Sequence, residues 1–219
     1  MQKKGFTLLE LLIVIGILAI LATAAVLVLN PAELLRQARD STRASDLAGL
    51  NSTLGLYLST VTTPALDNRL SPSDTSRCKG GANATKSTYS YGQLIGNNMA
   101  SSTFLYASGS TGSALPLSTN GTASTSRNVD GTGWLPVNLN AISGGSPLGN
   151  LPVDPTNTTS TASSTTYVYI YGCNSTANTY VITARFESDK YVNGLGLPSK
   201  DGGPDNGFYE IGTAPGLQI

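Results

Sequence analysis

Residues 6–29 read FTLLELLIVIGILAILATAAVLVL, 24 positions interrupted by one charge, Glu10. At 1.5 Å of rise per residue a helix of that length reaches roughly 36 Å, enough to cross a bilayer core of about 30 Å. A spanning helix is the plain reading. A cleaved secretory signal competes with it, because Lys3 and Lys4 make a basic start, Leu8 to Leu21 an apolar stretch and Ala22-Thr23-Ala24 an A-x-A site. Glu10 separates the two. A carboxylate in an apolar segment costs about 2.5–3.5 kcal/mol on insertion scales, so it persists where something uses it, and a discarded signal has no such use. The apolar run also continues past the A-x-A site to Leu29, further than a signal needs.

Outside this segment the chain is polar but poor in charge. Between Lys86 and Arg185 only Arg127, Asp130 and Asp154 are charged, so the surface has little electrostatic repulsion to keep copies apart. Formal net charge is zero and there is no basic stripe to neutralise phosphates, which argues against direct nucleic-acid binding. The sequence has no histidine, which removes the commonest general base and metal ligand. No nucleophile motif or phosphate loop stands in its place, so an enzyme is the weakest class. Cys78 and Cys173 lie far apart and in no metal-binding spacing; in an exported chain they read as one disulfide, the alternative being two unpaired thiols.

The 219 residues fit one compact domain with an extension. Asn30-Pro31 follows the apolar run, and proline kinks a helix, yet the helical pattern resumes at once. From Ala32 to Leu58 the residues Leu47, Leu50, Leu54 and Leu58 recur at three- and four-residue spacing with Tyr57 beside them, a stripe suited to a sheet. Arg36 with Asp40 and Arg43 with Asp46 read as exposed helix-neighbour pairs on a solvated face. Phe6 to Leu58 is thus expected as one helix of roughly 80 Å with a kink at Pro31. Strands are expected at Tyr89–Gly92, Trp134–Leu139, Tyr167–Gly172, Tyr180–Glu187 and Phe208–Ile211, the third and fourth forming a hairpin. The Ser/Thr-dense stretches 101–126 and 156–166 read as flexible loops, with O-glycans as the alternative.

The string Lys3-Lys4-Gly5-Phe6-Thr7-Leu8-Leu9-Glu10, running into the apolar helix, resembles the class III leader and N-terminus of type IV pilins and type II secretion pseudopilins. The resemblance implies a leader of residues 1–5, a peptidase cut between Gly5 and Phe6, methylation of the new Phe6 amine, and Glu10 as the charge of the polymerisation seam. It also implies an α+β fold: a long N-terminal helix, spanning the membrane over 6–29 and amphipathic over 30–60, packed on a small antiparallel sheet in a head of residues 61–219. Implied partners are other pilin-like subunits as a homopolymer, a prepilin peptidase and methyltransferase, the inner-membrane assembly platform and the membrane itself. The implied location is the cytoplasmic membrane with the head outside, then a filament. A monomeric, membrane-anchored surface binding module is the alternative function. One count runs against the orientation: Lys3 and Lys4 before the helix are outnumbered by Arg36, Arg39 and Arg43 after it.

The run Asp201-Gly-Gly-Pro-Asp205-Asn206-Gly-Phe-Tyr-Glu210 gathers three carboxylates and an amide in a Gly and Pro loop. Hard cations take oxygens from such loops, and major pseudopilins carry calcium in a C-terminal loop, so Asp201, Asp205 and Glu210 are candidate calcium ligands. A solvated turn needing glycine for its backbone angles is the alternative. No other cofactor is expected.

Overall fold

In the computed structural model, residues 5–66, 88–90, 122–124, 126–157, 167–174, 177–203 and 206–214 are described. The fold is α+β. Helix α1 runs over Leu8–Leu29 and helix α2 over Pro31–Thr60. The single long helix expected from the pattern is divided at Asn30, which has φ +39° and serves as the last cap of one helix and the first of the next. The cause is local. Proline disfavours a helical residue before it, asparagine tolerates the left-handed region, and Pro31 at the first position of α2 gives up an N–H that would have no helical partner anyway. The Asn30 side chain accepts the Glu33 N–H at 3.4 Å, so the break is capped.

The sheet is ordered β2-β1-β3-β4-β5, with β1 Thr88–Ser90, β2 Thr122–Ser124, β3 Ile170–Asn174, β4 Thr179–Ala184 and β5 Tyr209–Gly212. Strands β3 and β4 form the expected antiparallel hairpin, Ile170 opposite Thr183 and Asn174 opposite Thr179, and β5 adds to β4 antiparallel. At the far edge β2 joins β1 in parallel, a departure from a wholly antiparallel sheet. Asn178 takes φ +51° in the β3–β4 turn, where asparagine pays little for that geometry.

The expected strand at Trp134–Leu139 is not one. Residues 133–137 are all buried, without the alternation a half-buried strand shows, and Pro136 cannot donate to a ladder. The segment is pinned instead from both ends: the Trp134 N–H bonds to Ser126 O at 2.9 Å, its indole N–H to Pro152 O at 2.9 Å, and the Leu139 N–H to Val129 O at 2.8 Å.

The core lies between α2 and the sheet. Leu47, Leu50, Leu54 and Tyr57 of α2 are buried against Tyr169, Tyr171, Tyr180 and Ile182, with Trp134 and Leu135 closing one side. Tyr180 ties the layers together by donating to Asn51 Oδ1 at 2.8 Å, and its burial pushes the phenol up to about 12. Cys173 of β3 is half of a disulfide. Cys78, the other cysteine of the sequence, lies outside the described residues.

Candidate functional site

Gly5, Phe6 and Thr7 precede the first helical turn and are exposed, Phe6 at 86%. Thr7 caps α1. Its hydroxyl oxygen accepts the Glu10 N–H at 3.2 Å, while the Glu10 carboxylate accepts the Thr7 N–H and the Thr7 hydroxyl, both at 3.0 Å. This reciprocal capping box satisfies two N–H groups that a helix start leaves open, and a carboxylate there also suits the positive end of the helix dipole. Glu10 thus has a use within its own chain. Because the box involves only residues 7–10, cutting between Gly5 and Phe6 leaves it intact.

From Leu8 to Val26 every side chain of α1 is exposed, including twelve large Leu, Ile and Val residues. Each gains about 1.5–3 kcal/mol on leaving water, so a helix apolar on all sides is stable only in lipid or among other apolar helices. Over this stretch α1 is long and apolar enough to cross a membrane.

A family model described as the prokaryotic N-terminal methylation motif matches residues 1–26. The chain carries a class III prepilin leader. Leaders of this kind are those of type IV pilins and pseudopilins, which are structural subunits rather than enzymes, and the apolar helix that follows has the length and composition of a membrane anchor. No curated protein and no solved structure matches the chain significantly.

Behind the prepilin leader and its helix, the head holds a second arrangement that differs from the expected solvated face. Arg43, read above as one of an exposed pair with Asp46, is wholly buried, as is Asp40. All five N–H donors of the Arg43 guanidinium are used. Nε and Nη2 grip Asp154 at 2.7 and 3.0 Å, Nη2 also reaches Thr156 Oγ1 at 2.9 Å, and Nη1 reaches Asp40 at 2.6 Å and Glu187 at 2.7 Å. The Tyr167 ring covers the guanidinium carbon at 4.6 Å.

Asp40 in turn accepts the Ser188 N–H at 2.7 Å, its hydroxyl at 2.6 Å and the Glu187 N–H at 3.1 Å. Arg39 holds Glu187 with two bonds of 2.6 and 2.7 Å. Burial alone would raise the Glu187 carboxyl, but the bonds from Arg39 and Arg43 outweigh it and hold the group below the ordinary carboxylate range. The remaining expected pairings also change: Arg36 approaches Glu33 at 3.9 Å rather than Asp40, and Asp46 accepts the Tyr169 hydroxyl at 2.7 Å.

A signal for this cluster was present. Positions 40, 43, 47, 50, 54 and 57 step by three and four, so extending the leucine stripe backwards lands on Asp40 and Arg43.

In the expected calcium loop, Asp205 lies outside the described residues. Asp201 accepts the Gly203 N–H at 2.9 Å and the Glu210 N–H at 2.7 Å, so its carboxylate ties the turn to the start of β5. The Glu210 side chain is buried against Gly203, where a Cβ would collide with it. Among the described residues no three Asp, Glu, Cys or His side chains come together as a metal site.

Proposed function

We propose that the mature chain is a structural subunit of a type IV pilus-like or type II secretion pseudopilus filament, assembled through α1. The observation that carries this reading is the union, at one N-terminus, of a prepilin leader, a helix with apolar side chains exposed all round, and a single carboxylate at the fifth residue beyond the cut. Passing from lipid into a bundle of like helices exchanges one apolar surrounding for another, so the transfer itself supplies little direction. Glu10 supplies it. Its bonds to Thr7 keep it satisfied in the monomer, and the Phe6 amine of an incoming subunit adds the opposite charge that fixes axial register.

The subunit waits in the cytoplasmic membrane with its head outside, is cut and methylated at Phe6, and is taken up by the inner-membrane assembly platform. The arginines beyond α1, which oppose this orientation in a simple charge count, have folded roles: Arg39 and Arg43 pair with acids of the head. The test is mass analysis of the mature N-terminus together with Glu10→Ala. Methyl-Phe6 as first residue, and membrane-held monomer without filaments in the variant, are the expected results. Met1 or Ala25 as first residue refutes the pathway, and an unaffected E10A variant points to a tethered binding module instead. Calcium in the 201–210 loop is a separate proposal that rests on the sequence pattern: excess chelator lowers Tm if it is right and leaves Tm unchanged if it is wrong.

A further inference from the structure

Helix α2 meets the head through two zones of different chemistry. From Leu47 to Tyr57 the fully buried residues are apolar apart from Thr53, and the polar tie to the sheet there is the neutral bond from the Tyr180 hydroxyl to Asn51. Before Leu47 the fully buried residues of α2 are Asp40 and Arg43, while Leu34 and Leu35 are 51% and 62% exposed. The leading half of the helix is therefore fastened by charge: Glu33 accepts the Asp189 N–H at 2.9 Å, Arg39 holds Glu187, Asp40 takes the Ser188 amide and hydroxyl, and Arg43 spans Asp154 and Glu187.

The two zones differ in what separation costs. Parting the apolar zone exposes leucines that water does not compensate, whereas parting the ionic zone returns the carboxylates of Glu33, Asp40, Asp154 and Glu187 and the guanidinium groups of Arg39 and Arg43 to a solvent that hydrates them strongly. The same chemistry sets cooperativity: segments held by few apolar contacts open as local units below the free energy of global unfolding. Connectivity adds a direction. Any pull on α1 enters the head through Asn30 and loads the ionic end of α2 first.

We propose that the Asp40–Arg43–Asp154–Glu187 cluster is a releasable latch, whose opening frees residues 31–43 of α2 from the head while the Leu47–Tyr57 zone stays packed. Opening adds 13 residues to the tether between bilayer and head, roughly 20 Å if they remain helical. The latch is a property of the folded monomer and does not depend on the filament reading.

The test is hydrogen exchange with mass spectrometry on the full chain in detergent micelles, comparing wild type with Arg43→Met and Glu187→Gln. In wild type the amides of residues 36–43 are expected to exchange about tenfold or more faster than those of 47–57. R43M removes the central cation without shortening the side chain much; residues 36–46 and 185–188 should lose a further factor of about ten, while 47–57 and 179–184 keep their protection. E187Q should speed the same segments by a smaller factor. Equal acceleration along the whole of α2, no acceleration in either variant, or failure of R43M to fold would each overturn the latch, since each makes the ionic zone inseparable from the core or irrelevant to its opening.

Discussion

Helix α1 presents apolar side chains on every side, whereas α2, separated from it by the single residue Asn30, buries a single stripe and leaves the rest to solvent. Both are long helices of the same chain, so their different fates come from how side chains are distributed around the axis. Without a preferred face, α1 needs a surrounding that is apolar in all directions, and its one carboxylate sits at the end where the helix start can use it. With a stripe at three- and four-residue spacing, α2 needs a partner on one side only, and the sheet supplies it. Asn30 makes the change possible by interrupting the helix, which lets each half take its own direction.

Three measurements would break or sharpen this contrast. The largest effect is expected from Leu54→Ala, which leaves a cavity in the fully buried face of α2 and should cost about 2–5 kcal/mol in denaturation of the full chain in micelles. A loss below 1 kcal/mol would mean that the stripe does not hold the head together. A smaller effect is expected from pH. The Glu187 carboxyl is lowered from its ordinary value of 4.5 in the folded chain, so its stabilisation is complete above that value and is lost as pH falls through the folded one. Acid titration of stability should show this loss, and E187Q should flatten it; an identical acid limb in the variant would remove Glu187 from the account. The smallest effect belongs to α1. Ile15→Ala lies on an exposed stretch, and the head's melting should change by no more than about 0.5 kcal/mol. A larger change would show that α1 packs on the head after all.

Much of this was legible in the residues. The apolar run and Glu10 gave α1 its place, the leucine spacing gave the buried face of α2, and the β-branched and aromatic runs around residues 170 and 182 gave the hairpin. The segment around Trp134 departs from expectation because its composition suits a strand while Pro136 and its uniform burial do not. Asp40 and Arg43 depart from it because charge predicts exposure, although their phase matches the buried leucines.

What the sequence by itself determined is therefore the N-terminus: a class III prepilin leader, a helix apolar on every side and a single charge at Glu10. These follow from composition and local spacing, which need no knowledge of where the chain goes next. Only the tertiary structure decided the ionic cluster. Asp154 and Glu187 stand 111 and 144 residues beyond Arg43, and their approach depends on the return path of the whole head. The helix phase could show that Arg43 points inward. Which carboxylates would meet it there is set by the fold, because a buried guanidinium is stable only where its five donors all find partners.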